Sequence, residues 1–257
     1  MNDISVSKKI TVLVPCYNEE KGVGAVIDAF LALDVKPLGY ELDVVVIDNN
    51  SKDRTSEVAA AHGARVIFEE KKGKGNAIRK GFYSISDDTD YVVMLDGDNT
   101  YRPEEMLRLV ELLDSGFATV VLGSRLFGKM SEGSMKRFNH FGNCLYSYLV
   151  RHLYGISVTD VLTGYYAWNR AAILNLRPHL QSDGFTIEME MITKMAILGE
   201  DIYSVPVGYD ARAGESNLSP IADGYAILVM LVRNLFWKPC PETSLLAQLQ
   251  QQKEATT

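Results

Sequence analysis

Two aspartates one residue apart, Asp96 and Asp98, close an apolar run in YVVMLDGDNTYRPEE. On an extended segment such a pair points both carboxylates to one side. That suits a hard cation such as Mg2+ or Mn2+, with coordination positions left for phosphate oxygens and water. A calcium loop is excluded: counting from Asp96, position six is Tyr101 where Gly is required and position twelve is Leu107 where Glu is required. The plainer alternative is a turn in which Asp side chains bond local amides. A second stretch, GKGNAIRKGF, combines Gly73 and Gly75 with Lys72 and Lys74. Glycines allow close backbone approach, and a helix N-terminus adds a positive field suited to phosphate; the alternative is a solvated turn. It is not a P-loop, because GxxxxGK[ST] is absent. Gly22 and Gly24 lack the third glycine of a dinucleotide fingerprint.

These residues need strands to position them. ITVLVP (10–15), DVVVID (43–48), ARVIFEE (64–70), YVVMLD (91–96) and ATVVLG (118–123) read as buried strands. Helical patterns follow, from Asn18 to about Leu33, over SKDRTSEVAAAHG, over GKGNAIRKGFYSI, and after Pro103, which suits a first helical turn. Alternation of this kind predicts a doubly wound α/β fold with its ligand crevice at the carboxyl ends of the strands. The unusual polar residues stand at those ends: Tyr17 to Glu19, Asp48 to Ser51, Lys72 to Asn76, and Asp96 to Asp98. That convergence favours the metal reading of the aspartates. Beyond Gly123 the alternation breaks. GYYAWN (164–169) and DIYSVPVGYD (201–210) read as further strands, with a helix at 185–199 between them.

The balance of the chain removes some function classes. A net charge of −7 over 257 residues argues against general nucleic-acid binding. Three distant cysteines, Cys16, Cys144 and Cys240, suggest a reduced cytosolic chain without a disulfide framework. No signal peptide is evident, and the longest apolar run, YAILVMLV (225–232), is about half of a membrane span. The stretch 125–155 is aromatic and basic, with five Lys/Arg against one acid. It reads equally as an interfacial amphipathic surface or as a solvated helix. Tyr165, Tyr166 and Trp168 suit a half-buried strand better than sugar stacking. Cys16 reads as packing.

PCYNEE (15–20), IDNNSKDRT (47–55), KGKGNAIRKG (72–81), LDGDNTYRPEE (95–105) and GSR (123–125) resemble, in order and spacing, the inverting glycosyltransferases of family 2 with a GT-A fold. TDVLTGYYAWNR (159–170), GFTIEMEM (184–191) and VPVGYDARAGESNLSPIADG (205–224) narrow the likeness to the branch of dolichyl-phosphate mannose synthase and archaeal dolichyl-phosphate sugar transferases. The resemblance implies a Rossmann-like, mixed but mostly parallel sheet with helices on both faces, followed by acceptor-side helices. The domain would span 1–238, with a nucleotide-sugar half at about 8–124 and an acceptor and membrane-facing half at about 125–238. A polar tail would occupy 239–257.

The same resemblance implies residue roles. Pro15, Tyr17, Glu19 and Asp48 would hold the nucleotide base and ribose, with Lys74 and Asp96 toward the sugar diphosphate. Asp96 and Asp98 would bind Mg2+ or Mn2+. Thr100 stands where relatives often carry Gln, and Asn49 where they often carry a second Asp. Arg125 and Arg137 would receive the acceptor phosphate. Glu190 would be the acidic residue of the acceptor-side helix, and Arg212 would close over the diphosphate beside Asp98 as catalytic groups. The implied partners are a nucleotide sugar, leaning to UDP, and a polyprenyl or dolichyl phosphate, with no nucleic acid. The implied location is peripheral, at the cytoplasmic face of a membrane. A phosphate acceptor is already anionic near neutral pH, so no strong general base is required. The remaining alternatives are a GDP-mannose-dependent synthase and a family 2 transferase with a soluble acceptor. A nucleotidyltransferase would carry a Gly-rich basic loop where this chain reads PCYNEE.

Overall fold

The structure is a computed structural model, described over residues 7–212 and 219–239. Residues 213–218, most of the GESNLS stretch, and the tail from Cys240 lie outside the described residues. The Val/Ile runs form strands as expected: β1 (Lys8–Cys16), β2 (Tyr40–Asp48), β3 (Arg65–Phe68), β4 (Tyr91–Met94) and β5 (Val120–Met130). β6 (Tyr166–Asn169) and β7 (Ile202–Tyr209) complete the seven strands found among the described residues. Helices α1 (Val23–Leu31), α2 (Thr55–Ala61), α3 (Lys74–Tyr83), α4 (Met106–Asp114), α5 (Arg137–Tyr154), α6 (Arg170–Leu176), α7 (Ile187–Ile197) and α8 (Pro220–Asn234) connect and cover them.

The strand order is β3-β2-β1-β4-β6-β5-β7. β1 pairs in parallel with both β2 and β4, so the order reverses between β1 and β4, the switch point where α/β sheets open a crevice. β6 runs antiparallel to β4 and β5, which makes the sheet mixed and mostly parallel, as expected. Alternating residues of one strand feed two apolar layers. Leu13 and Ile47 face the layer that includes α3 and α7, whereas Val12, Val14 and Val46 face the layer of α1 and α4. Tyr165, Tyr166 and Trp168 are buried core residues, and the Tyr166 and Trp168 rings stack at 5.1 Å.

Three expectations shift at element ends. The first helix begins at Val23 instead of Asn18, because Asn18 takes a left-handed conformation (φ 57°) and the chain turns before coiling. The fourth strand ends at Met94, so Asp96 and Asp98 sit on the turn beyond it. The 125–155 stretch is not helical throughout: β5 continues to Met130, with a register break between Ser124 and Lys129. A Cβ on Gly128 would lie 1.8 Å from the Val207 carbonyl oxygen, so only glycine lets the strand rejoin β7 there.

Candidate active site

Four loops meet at the β1/β4 crevice, and three of them turn through an asparagine with positive φ: Asn18 after β1, Asn50 after β2 and Asn99 after β4. Short polar side chains tolerate this conformation and can bond locally. The loops are stitched together directly. The Lys52 amide donates to Asn18 Oδ1 (2.7 Å), the Asn18 amide to Ser51 Oγ (3.0 Å), and the Glu19 amide to Thr55 Oγ1 (2.9 Å). Asn49 braces the lysine–glycine loop, donating to the Lys71 carbonyl and accepting from the Gly73 amide, both at 2.7 Å. Asn49, which stands where relatives often carry a second Asp, is here a loop brace.

The aspartates are paired with separate cations. Lys74, the first residue of α3, places Nζ 2.8 Å from Asp96 Oδ1 and 2.7 Å from Glu188 Oε1. Burial opposes the ammonium, but the Asp96 and Glu188 carboxylates override it and hold Lys74 well above the ordinary lysine range. Arg212 donates from Nε to Asp98 Oδ2 (2.6 Å) and reaches Glu19 Oε1 at 3.5 Å. The other Asp98 oxygen accepts from Thr100 Oγ1 (2.6 Å) and the Thr100 amide (3.2 Å), so Thr100 orients the carboxylate. Burial pushes the Glu19 carboxyl up to about 7 against the pull of Arg212, with Asp98 and Asp96 adding to the rise. Asp48 accepts from the Ser51 amide (3.0 Å) and from Ser56 Oγ. Tyr17 meets Lys72, whose Nζ donates to its hydroxyl at 3.0 Å, while Pro15 stays within β1 opposite Ile47.

Close backbone approaches shape the floor and walls. A Cβ on Gly97 would fall 2.3 Å from the buried Cys16 sulfur, and one on Gly164 would fall 2.2 Å from Asp96 Oδ2. Burial raises the Cys16 thiol far above its usual range, with Glu19 adding to the effect, so Cys16 is packing beneath the acidic turn. The lysine–glycine loop abuts the 182–183 backbone: a Cβ on Gly75 would be 2.1 Å from the Ser182 carbonyl oxygen. The Asn76 amide at the start of α3 already bonds the Asp183 carbonyl (3.2 Å), so that donor is not turned to a ligand.

Two expected residues are placed otherwise than the sequence suggested. Glu190 is not brought to the aspartates. It is buried, accepts from the Gln181 and Ser182 amides (3.1 and 2.7 Å), and pairs with Lys194 Nζ (2.6 Å). Glu188, two residues earlier on α7, takes the place beside Lys74. Arg125 is no surface phosphate receiver either: it is 8% exposed, with Nε 2.7 Å and Nη2 2.8 Å from the two oxygens of Asp160. Arg137 begins α5 and is exposed.

The cluster of Glu19, Asp96, Asp98 and Glu188 sets four carboxylates against the two cations Lys74 and Arg212. Hard oxygen donors with a formal excess of negative charge fit a divalent cation such as Mg2+ or Mn2+. Among the described residues no group of three or more His, Cys, Asp or Glu side chains forms a metal cage. A cation here would take one or two carboxylates and complete its shell from phosphate oxygens and water, the usual habit of Mg2+.

Comparison with known proteins agrees with the fold. The family model for glycosyl transferase family 2 matches residues 11–176. Glycosyltransferase AglJ of Haloferax volcanii is 36% identical over 228 residues, 87% of this chain and 71% of that protein. The dolichyl-phosphate hexose transferase of the same organism is 33% identical over 224 residues, covering 87% of this chain and 92% of that protein. Glucosyl-3-phosphoglycerate synthase from Mycobacterium tuberculosis, crystallised with Mn2+, UDP and phosphoglyceric acid, superposes with a TM-score of 0.68 at 24% identity, over 90% of this chain and 80% of that one. Another crystal of that synthase holds Mg2+ and UDP, so the expected Mg2+ or Mn2+ matches the ions these neighbours carry. By its sequence match and its fold, the chain belongs to glycosyltransferase family 2.

Proposed function

We propose that this family 2 glycosyltransferase moves a hexosyl or N-acetylhexosaminyl group from a nucleotide sugar, by preference a UDP-sugar, to a polyprenyl or dolichyl phosphate, with inversion. The observation that carries the acceptor is the construction of α5. Its buried face is partly polar (Asn143, Ser147, Val150), while Phe138, Phe141, Leu145 and Tyr148 face outward. α8 packs beside it, with Tyr146 Oη donating to the Gly224 carbonyl (2.8 Å) and Tyr154 Oη to the Leu231 carbonyl (2.7 Å). Ile221, Tyr225, Val229 and Val232 are exposed along α8, and Phe236 just beyond it. Lys129, Lys136, Arg137, Arg151 and Arg233 are exposed around these stripes. An apolar surface rimmed by cations suits a lipid interface bearing phosphate. No helix among the described residues is long and apolar enough to cross a membrane. The contact we propose is peripheral.

In this reading Pro15, Tyr17, Glu19 and Asp48 face the nucleoside, and Lys74, Asp96, Asp98 and Arg212 face the diphosphate. A divalent cation held by Asp98 and Asp96 would neutralise charge on the departing nucleoside diphosphate. Lys74 and Arg212 would exchange their carboxylate partners for phosphate oxygens as donor enters, which keeps the buried charges paired. Arg212 thereby stabilises the leaving group. Glu188, released by Lys74, would accept from sugar hydroxyls. Arg137 would orient the acceptor phosphate, whose anionic oxygen attacks the anomeric carbon without a strong base. The Haloferax relative whose name specifies dolichyl phosphate supports this acceptor. A soluble phosphate-bearing acceptor is the second reading, favoured by the phosphoglyceric acid in the mycobacterial neighbour. The test is a panel of UDP- and GDP-sugars offered with a short polyprenyl phosphate or with 3-phosphoglycerate, plus Mg2+ or Mn2+. Lipid-linked product is expected, and its absence with every donor overturns the acceptor assignment.

A further inference from the structure

We infer that Asp160 is a positioning residue for the donor site, acting through the 160–164 segment on Asp96. Its carboxylate is fully buried and accepts four bonds. Oδ2 takes the Arg125 amide (2.9 Å) and Nε (2.7 Å); Oδ1 takes Arg125 Nη2 (2.8 Å) and Asn143 Nδ2 (2.6 Å). Burial works against the charge, but Arg125 holds Asp160 below the usual carboxylate range. The bonded groups in turn fix the chain that follows. Arg125 Nη2 donates to the Leu162 carbonyl (2.5 Å), and Asn143 Oδ1 accepts the Leu162 amide (3.3 Å). The Val161 amide donates to Ser147 Oγ (3.1 Å), and Thr163 Oγ1 donates to the Gly123 carbonyl (2.6 Å). The Gly164 amide then donates to Tyr101 Oη (2.7 Å). The Val161, Leu162 and Gly164 backbone groups are held by side chains, so the path of residues 160–164 depends on them.

That path ends as a wall of the site. Gly164 lies so close to the Asp96 carboxylate that a Cβ would stand 2.2 Å from Oδ2 and 2.6 Å from Cγ. Asp96 is thus confined between Lys74 on one side and the Gly164 backbone on the other. Asn143 and Ser147 belong to α5, so the outward apolar helix and the donor carboxylate share one hydrogen-bonded support. A residue that only stabilises the fold would change melting temperature and leave ligand affinity of the folded protein alone. A positioning residue changes affinity too.

The inference rests on the reading of Asp96 as part of a cation and diphosphate site, and the experiment separates the two. Mn2+ with UDP, and Mn2+ with GDP, are titrated calorimetrically into wild type, Asp160→Asn, Gly164→Ala and the core control Ile173→Val. Asp160→Asn is expected to weaken binding of Mn2+ and nucleotide at least about tenfold, the usual effect of losing a group that orients a metal ligand. Gly164→Ala leaves the Asp160 clamp whole, alters only the wall, and should weaken binding similarly. Ile173→Val should lower the melting temperature without moving affinity. If Asp160→Asn does not fold, Gly164→Ala decides, and wild-type affinity in that variant overturns the inference. Wild-type affinity in a folded Asp160→Asn protein does the same. Failure of wild type to bind either nucleotide with Mn2+ overturns the site reading itself, and the inference with it.

Discussion

Replacing Lys74 with Met removes the cation shared by Asp96 and Glu188 while roughly preserving side-chain volume. Nζ stands 2.8 Å from one carboxylate oxygen and 2.7 Å from the other, so end to end these oxygens are no more than 5.5 Å apart. At an effective dielectric of about 20, two like charges at that distance repel by roughly 3 kcal/mol. Stripping one partner from a buried pair costs about 3–5 kcal/mol in general, so about 3 kcal/mol is expected at pH 8. For a domain of this size that lowers the melting temperature by roughly 6–12 °C. Protonation limits the cost. Burial already raises the Glu188 carboxyl, and removing Lys74 raises it further. A carboxyl whose folded pKa lies above its unfolded value loses stability as pH rises between the two. The deficit of the variant must therefore shrink toward pH 5 and grow toward pH 8. Glu188→Gln in the Lys74→Met background should restore about 1–3 kcal/mol, the coupling expected of touching residues. Urea denaturation at pH 5 and pH 8, with EDTA present, measures all of this. A loss under about 1 kcal/mol at pH 8, or a deficit independent of pH, would refute the shared-cation account.

Glu19→Gln should separate from wild type as pH rises. With the carboxyl raised from 4.5 to about 7, its favourable contribution is complete below 4.5 and lost as pH climbs through 7. The variant should be up to about 3 kcal/mol more stable than wild type at pH 8 and equal to it near pH 4, and parallel melting curves across pH would contradict this. Gly75→Ala drives a Cβ to 2.1 Å from the Ser182 carbonyl oxygen, so it should cost about 1–3 kcal/mol and weaken nucleotide binding. Gly142→Ala on α5 meets nothing within 4 Å and should stabilise by up to about 1 kcal/mol, so equal effects from the two substitutions would refute the packing argument. Phe141→Glu with Tyr225→Glu should abolish cosedimentation with vesicles containing anionic lipid, and retained sedimentation would remove α5 and α8 from the proposed interface.

Much of this arrangement was legible before any coordinates. Val/Ile runs marked the central strands because burial on both faces leaves no polar alternation, and the polar residues at their ends do meet in one crevice. Exact loop paths were not legible, since the left-handed turns at Asn18 and Asn50 depend on partners in other loops. That Glu188 and not Glu190 meets Lys74 was not legible, for a physical reason. Ile187 through Met195 are buried on every side of α7, so no apolar stripe reveals which way each glutamate points. Arg125 resembled a free phosphate receiver because its partner Asp160 lies 35 residues away, across a pairing that only the fold creates. The inward Asn143 and Ser147 of α5 were hidden the same way, since a helix that turns polar residues inward has no recognisable solvent face.

The most direct measurement follows labelled sugar from UDP- and GDP-donors into solvent-extractable lipid, with a short polyprenyl phosphate and Mg2+ or Mn2+, for wild type and Asp98→Ala. Metal-dependent product from wild type is expected, with a loss of at least about 100-fold in a folded Asp98→Ala protein. Label transferred only to a soluble acceptor, or full activity in the variant, would contradict this expectation.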